Sequence, residues 1–155
     1  AVSLIKDEQL ILMTANGMCI RFNSNGITPT SRTTSGVKGI NLNKGDSVVY
    51  ISQVDEEGEF VIITDTGFYK RVITSEIEPM ARYRKGIKIV ELGKDGTVVY
   101  ADQVKQPFDL AVIDNFGVAF TVNTEDISIE NRTTKGKTLK NENKKRMPEK
   151  VVRIF

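Results

Sequence analysis

The sequence predicts an all-β protein made of about three propeller-like blades of about 50 residues each. Residues 11–60 align with residues 61–110 without a gap and share fifteen identical positions. Short runs rich in β-branched residues alternate with glycine turns, and helical periodicity is weak throughout. Repeats of about 40–50 residues with these features are typical of propellers. We expect one repeat domain over residues 1–155, with blades at about 1–60, 61–110 and 111–155.

Each repeat begins with a predicted β-hairpin. The first reads LILMTANGMCIRF, in which Asn16-Gly17 joins two apolar stretches, and both residue types tolerate the positive φ of a tight turn. FVIITDTGFYKRV and LAVIDNFGVAFTV repeat the pattern around Gly67 and Gly117.

The strand that follows the first turn alternates in polarity. Alternation places every second side chain on the same face of a sheet. We therefore expect Cys19 and Arg21 to face outward, and Arg71 to do so in the second repeat, where Lys70 interrupts the inner row. The side chains expected to face the core are Met18, Ile20 and Phe22.

A further strand closes each repeat. SVVYISQV and TVVYADQV follow turns at Gly45-Asp46 and Asp95-Gly96. In the third repeat the lysine-rich tail is open to two interpretations, a disordered basic arm or a last strand at residues 151–155 after a loop, and we favour the strand. Three blades leave exposed strand edges, which are prone to aggregation unless covered. We therefore expect the chain to form part of a larger ring or to pair with a second copy.

Composition excludes several classes of function. The 155 residues include no histidine, so the commonest general base and metal ligand are absent. No nucleophile–base pair, metal cluster or phosphate loop is recognisable, and we expect no catalytic residue, cofactor, metal or small-molecule substrate. The single cysteine and the lack of a leader or a long apolar run favour a cytoplasmic protein without a membrane partner.

Positive charge is concentrated in one segment of each repeat. We call residues 27–44, 77–94 and 127–144 the basic windows. Together they hold 13 basic and 4 acidic residues, whereas the rest of the chain holds 9 basic and 16 acidic. Repetition would place the windows side by side along one rim, which suits the regularly spaced phosphates of a polyanion. Two alternatives remain open: an acidic protein partner, or turn-capping arginines that pair with acidic neighbours.

The repeated windows resemble a known family. SRTTSGVKGINLNKGDSVVYI, ARYRKGIKIVELGKDGTVVYADQV and ENRTTKGKTL are similar to the blade motifs of the C-terminal domain of the bacterial type IIA topoisomerase A subunit. The resemblance covers essentially the whole chain. It implies a β-pinwheel fold in which a basic rim binds and bends duplex DNA beside the catalytic core.

The resemblance also implies partners and a role. In DNA gyrase such a domain wraps DNA with positive handedness and permits ATP-dependent negative supercoiling, whereas in topoisomerase IV it guides substrate choice. The implied partners are double-stranded DNA, the ATPase subunit, and the rest of the A subunit. The domain itself would not be an enzyme. The motifs imply seven DNA contacts: Arg21, Arg32, Lys38, Arg71, Arg82, Lys88 and Arg132. The charge of the windows adds four more predicted contacts: Arg84, Lys85, Lys135 and Lys137.

The sequence departs from the family pattern in three ways. The gyrase-box heptapeptide, a Gln-basic-basic-Gly-Gly-basic-Gly stretch, is absent, which leaves gyrase and topoisomerase IV both open. Only three blades are present, and Thr121 replaces the hairpin arginine of the first two repeats. Among other residues, Tyr83 between two arginines is the tyrosine best placed to touch DNA. The acidic cluster Asp55, Glu56, Glu57 and Glu59 is interpreted as a solvated hairpin tip in preference to a cation site.

Overall fold

A computed structural model describes residues 8–54, 57–139 and 146–155. These residues form antiparallel strands and three short 3-10 turns, and no helix among them is long and apolar enough to cross a bilayer. The strands are β1 Gln9–Thr14, β2 Met18–Asn23, β3 Val48–Val54, β4 Glu59–Thr64, β5 Tyr69–Ile73, β6 Ile87–Lys88, β7 Val98–Val104, β8 Asp109–Asp114, β9 Ala119–Asn123 and β10 Pro148–Ile154.

The described strands form three sheets, one for each repeat. Their strand orders are β3-β1-β2-β6, β5-β4-β7 and β10-β8-β9. In each sheet, the first strand of the hairpin therefore lies between the second hairpin strand and the strand that closes the repeat. The predicted all-β, three-blade architecture is confirmed. The prediction that the tail ends in a strand is also confirmed, because β10 pairs with β8 across its whole length.

The hairpin turns form where the sequence places a glycine. Gly17 has φ +76°, and its amide donates to the Thr14 carbonyl at 3.0 Å. Gly67 and Gly117 repeat this geometry at the corresponding positions. The β-branched runs on either side then pair in register, for example Leu12 with Ile20.

The second and third basic windows each pair with the hairpin of the blade before them. The short strand β6 lies in the second window, yet it pairs with β2 of the first sheet. In the same way, Lys137 of the third window exchanges two backbone hydrogen bonds with Tyr69 of β5, at 2.9 and 3.0 Å. The chain therefore links successive blades by adding a segment of one blade to the sheet of the previous one.

A glycine in each of these two windows permits the close approach. Gly86 and Gly136 have φ of +79° and +93°, a region that L-residues rarely adopt. A Cβ on Gly136 would lie 2.7 Å from the Tyr69 carbonyl oxygen, and one on Gly86 would overlap the Cys19 carbonyl oxygen. The repeated Arg-x-x-x-Gly motif thus ends in a glycine because the backbone of the preceding hairpin occupies the space of a side chain.

Both faces of the first sheet are buried, which corrects one prediction. Leu12 and Ile20 pack on one face, while Ile11 and Cys19 pack on the other against the second blade. Cys19 is 0% exposed and Arg21 is 3% exposed, so the prediction that they face outward is wrong. Alternation of polar and apolar residues predicts that one face of the strand is exposed to solvent, but here the neighbouring blade covers that face.

We predict that alanine at Gly86 destabilises the fold much more than alanine at Gly45. Gly45 also has positive φ, +81°, but no atom lies within 4 Å of a Cβ built there. G45A should therefore cost only the ~1–2 kcal/mol of a left-handed L-residue, and G86A should add about 1–3 kcal/mol of overpacking. Urea unfolding of both variants measures the difference. Equal destabilisation would contradict the close approach.

Candidate nucleic-acid interface

The basic windows lie side by side, as their repetition predicts. The Asn41 amide of the first window donates to the Arg84 carbonyl of the second at 3.0 Å, and the Tyr83 amide donates to the Gly39 carbonyl at 2.7 Å. The Glu91 amide likewise donates to the Thr134 carbonyl of the third window at 3.0 Å. Three successive blades therefore present one continuous basic segment.

The window arginines join neighbouring windows. Arg82 donates from Nε to the Gly26 carbonyl and from Nη1 to the Lys38 carbonyl, both at 2.8 Å. Arg132 donates from Nη1 to the Lys88 carbonyl at 3.2 Å. Both side chains are half-buried. These two predicted DNA contacts are thus already engaged with backbone carbonyls of the preceding repeat.

Arg32 differs from its two counterparts. It is exposed, and among the described residues its side chain makes no hydrogen bond or ion pair. The first window has no window before it in the described part of the chain, so no carbonyl lies where Arg82 and Arg132 find theirs. No other described residue therefore engages the donors of Arg32.

The six other predicted contacts in the windows are exposed. Arg84 and Lys85 have no side-chain partner within the described ranges, whereas Lys88 pairs with Glu91 at 2.7 Å. Pairs this exposed contribute little to stability and leave the cation able to exchange partners. The six exposed side chains are Lys38, Arg84, Lys85, Lys88, Lys135 and Lys137.

Aromatic rings hold two of these lysines at the surface. The Lys38 ammonium lies 5.3 Å from the centre of the Tyr83 ring, and Lys135 lies 4.4 Å from that of Phe68. Tyr83 is 44% exposed and has φ +61°, so its ring stands out between Arg82 and Arg84. Such cation–π contacts restrain the lysines without neutralising their charge.

The hairpin arginines do not belong to this exposed set. Arg21 donates from Nη1 to the Ile77 carbonyl at 3.1 Å, and Arg71 donates from Nε to the Ile127 carbonyl at 2.8 Å. Arg71 also pairs with Glu59 at 2.7 Å and keeps only 15% side-chain exposure. The predicted outward position of both residues is wrong, because each bridges its hairpin to the next blade. Their contact with DNA stays a prediction.

Lys70 is a structural cation that the sequence analysis did not assign. Its side chain is fully buried, and its Nζ donates to the carbonyls of Asn131, Arg132 and Thr134 at 3.1, 3.1 and 2.8 Å. Burial lowers the pKa of Lys70 from its ordinary value to about 8. The signal was its interruption of the apolar row, since a lysine in that row must find acceptors inside the protein.

We predict that Lys70 makes stability depend on pH above 8. The unfolded chain retains the proton up to pH ~10.4, whereas the folded chain loses it near 8. Between these values the unfolded state binds more protons, so the free energy of unfolding should rise with pH, by at most about 1.4 kcal/mol per unit. Urea unfolding of the parent chain and of K70M at pH 7 to 10 measures it. A difference between the two that does not change with pH would contradict this assignment.

The structure also describes the surroundings of Cys19, Tyr50 and part of the acidic cluster. Burial raises the pKa of the Cys19 thiol, which disfavours the reactive thiolate. Tyr50 packs edge-on against Phe60, with ring centres 6.1 Å apart. Of the acidic cluster, Glu59 pairs with Arg71, while residues 55–56 lie outside the described ranges. Within those ranges no group of three His, Cys, Asp or Glu residues is arranged to hold a metal ion.

Sequence comparison identifies relatives of all three repeats. The profile of a family described as "DNA gyrase C-terminal domain, beta-propeller" matches residues 8–55, 58–105 and 115–155. The A subunit of DNA gyrase from Staphylococcus epidermidis is 42% identical over 53 residues, and its counterpart from Kosmotoga olearia is 38% identical over 53 residues. Each match covers 34% of this chain but 6% of the relative.

Solved structures share the fold along nearly the whole chain. The C-terminal domain of DNA topoisomerase IV superposes with a TM-score of 0.83 at 21% identity, covering 99% of this chain and 52% of that one. The DNA gyrase A C-terminal domain gives 0.83 at 24% identity, covering 99% and 53%. The chain thus spans about half the length of each solved domain. The predicted resemblance and pinwheel fold are confirmed.

Proposed function

Because this chain belongs to the DNA gyrase C-terminal domain family, described as a beta-propeller, we propose that it binds and bends duplex DNA along its basic windows. The observation that carries the proposal is the continuity of the windows. Hydrogen bonds between main chains join the first window to the second and the second to the third. Their exposed cations therefore form one extended surface on a rigid scaffold.

The free cations are the proposed phosphate contacts. Arg84 and Lys85 have no competing partner in the described structure, and Lys38 and Lys135 are restrained only by aromatic rings. A phosphate can replace the solvent around such groups without breaking an internal ion pair. Backbone contacts of this kind carry no sequence information, so binding should depend little on DNA sequence. No cofactor or catalytic group enters the proposed contact.

Bending follows from the curvature of a propeller rim. Smooth bending of a 20–30 base-pair duplex costs roughly 1–6 kcal/mol, which only several phosphate contacts together can offset. Each blade adds one basic window, so the number of contacts grows with the length of DNA engaged. We propose that the chain acts within a topoisomerase A subunit, beside the catalytic and ATPase parts of the holoenzyme.

Within the family, we propose the A subunit of DNA gyrase as the parent protein. The two curated relatives compared above are both gyrase subunits, at 42% and 38% identity over 53 residues. The topoisomerase IV and gyrase domains match the fold equally well. Topoisomerase IV is therefore the alternative parent, with guidance of substrate choice as the corresponding role.

Salt dependence tests the phosphate contacts. We expect the affinity for a random-sequence duplex to fall steeply with salt, with a slope of about −0.9 in log–log form for each phosphate neutralised. R84A/K85A should reduce the magnitude of that slope by about 2. Fluorescence anisotropy at several salt concentrations measures both quantities.

The matched control removes the same charge elsewhere. Lys105 and Lys150 are exposed and lie outside the windows, so K105A/K150A lowers the net charge by the same amount. We expect it to leave the salt slope nearly unchanged. An equal loss in both double variants would show that net charge, and not the windows, attracts the DNA. Binding to acidic proteins in place of DNA would favour an interaction scaffold.

Bending that amounts to wrapping should change DNA topology. We expect a nicked circular plasmid sealed by ligase in the presence of the chain to show a shifted linking number, positive for a gyrase-like wrap. R84A/K85A should require more protein for the same shift, because it holds the duplex through fewer contacts. Gel electrophoresis of the sealed topoisomers measures the shift. Tight binding with no shift would contradict wrapping while leaving DNA binding intact.

A further inference from the structure

The three basic windows contain a single aromatic residue, Tyr83 in the second window. Thr33 and Thr133 occupy the same position in the other two windows. Main-chain hydrogen bonds join the second window to a neighbouring window on each side. The 44% exposure of Tyr83 is therefore that of a residue whose two neighbouring windows are both in place.

The loop that carries Tyr83 folds differently from the equivalent loops. In the third window the Thr134 amide donates to the Asn131 carbonyl at 3.3 Å, and the first window has the equivalent bond at 3.2 Å, so each of these loops closes on itself. In the second window the Tyr83 amide donates to the Gly39 carbonyl of the first window at 2.7 Å. The backbone at Tyr83 is therefore positioned by a neighbouring blade and not only by its own loop.

The backbone holds Tyr83 in a conformation that a bulky residue rarely adopts. Its φ is +61°, and among the described residues other than glycine only Asp95 also has a positive φ. The residues on either side are fixed as well, because the Arg82 side chain bonds two carbonyls of the first repeat and the Arg84 carbonyl accepts a hydrogen bond from the first window. Strain that the surroundings maintain in this way is concentrated at ligand-binding and other functional sites.

Exposed cations surround the ring. Arg84 and Lys85 follow Tyr83 in the chain, and the Lys38 ammonium of the first window lies 5.3 Å from the centre of the ring. These three side chains are among the cations proposed above to contact phosphates. Because the two phosphate rows of a duplex border its grooves, a ring that stands among phosphate contacts faces a groove.

We propose that Tyr83 enters the minor groove of the bound duplex and wedges its ring between two base pairs. The inference rests on the proposed DNA binding and names a residue that adds selectivity for DNA that unstacks easily. Apolar side chains that act as wedges in the minor groove partly unstack a base step and kink the duplex toward the major groove. The Tyr83 ring is an apolar plate of this kind, and because its backbone is already fixed, little of it must be ordered on binding.

A single wedge gives the second window a role that the other two windows lack. Unstacking costs least at pyrimidine–purine steps and at mismatched pairs. A flexible step should therefore settle at Tyr83, whereas the phosphate contacts along the windows accept any sequence. The wedge thus sets the position of the duplex along the windows, and the kink that it makes contributes to the proposed bending.

A mismatched duplex tests the wedge on the full chain. We expect a duplex of about 30 base pairs with a central T·T mismatch to bind roughly fivefold more tightly than the fully paired duplex of the same sequence, because the wedge has less stacking to disrupt there. Y83N removes the ring and, since asparagine tolerates positive φ, keeps the backbone. It should lose most of the preference and keep the salt slope, because no charge is removed. A preference that is equal in Y83N and the parent chain would overturn the proposal.

Base unstacking can also be measured directly. The fluorescent base 2-aminopurine, placed next to the mismatch, becomes brighter when it loses a stacked neighbour. We expect its fluorescence to rise when the parent chain or Y83F binds, because both carry the ring, and to stay nearly constant with Y83N. Circular dichroism verifies that the variants fold. No rise with the parent chain at saturating concentration would overturn the proposal.

Two further variants distinguish the wedge from other effects of the ring. Phe116 is 65% exposed in a hairpin turn outside the windows, so F116A removes an exposed ring elsewhere and should leave the preference unchanged. K38M removes the ammonium that lies over the Tyr83 ring, and it should reduce the magnitude of the salt slope by about 1 while keeping the preference. If K38M loses the preference as fully as Y83N does, the ring acts only by restraining Lys38, and the wedge is overturned.

Failure of the wedge and failure of the proposed function give different results. A chain that binds neither duplex contradicts DNA binding itself and the wedge with it. Equal affinity for the two duplexes, with the salt slope expected for phosphate contacts, overturns only the wedge.

Discussion

The pairing of each basic window with the hairpin of the preceding blade is the interaction on which the rest of the structure depends. It adds a strand to the edge of one sheet from the next repeat, so that the blades are joined by main-chain hydrogen bonds as well as by packing. Gly86 and Gly136 are required because the partner carbonyl occupies the space of a side chain. The same pairing brings the second blade against the outer face of the first hairpin and aligns successive windows into one rim.

Cations serve two separate purposes in this arrangement. Arg21, Arg71 and Lys70 are buried or nearly so and satisfy backbone carbonyls of the following blade, since a buried charge needs such acceptors. Arg84 and Lys85 stand in solvent without partners in the described part of the chain. The first group holds the blades in register, and this register places the windows that carry exposed cations side by side. The position of the surface charge therefore depends on the buried charge, although the two groups come from different segments of the chain.

The sequence predicts those features that local patterns determine. The repeat period, the glycine turns at Gly17, Gly67 and Gly117, the closing strand of the tail and the adjacency of the windows all follow from spacing and residue type. The burial of Arg21 does not, because the segment bonded to it comes from the second repeat: its Nη1 donates to the Ile77 carbonyl, 56 positions away, and its own carbonyl accepts from the Met80 amide. Alternation of polar and apolar residues predicts a solvent-exposed face correctly only when no segment distant in the sequence packs against that face. Lys70 is the one long-range feature that the sequence indicates. A lysine within an apolar row requires buried hydrogen-bond acceptors, although the local sequence does not identify which carbonyls supply them.

The contacts between blades use main-chain carbonyls as acceptors: those of Gly26, Lys38 and Lys88 for the window arginines, and those of Ile77 and Ile127 for the hairpin arginines. A carbonyl is present at every position whatever the side chain, so a mutation at an acceptor position leaves the hydrogen bond that joins two blades intact. Repeats can therefore diverge at these positions, whereas the donor arginines and the apolar residues between blades, such as Ile87 and Leu92, must keep their type.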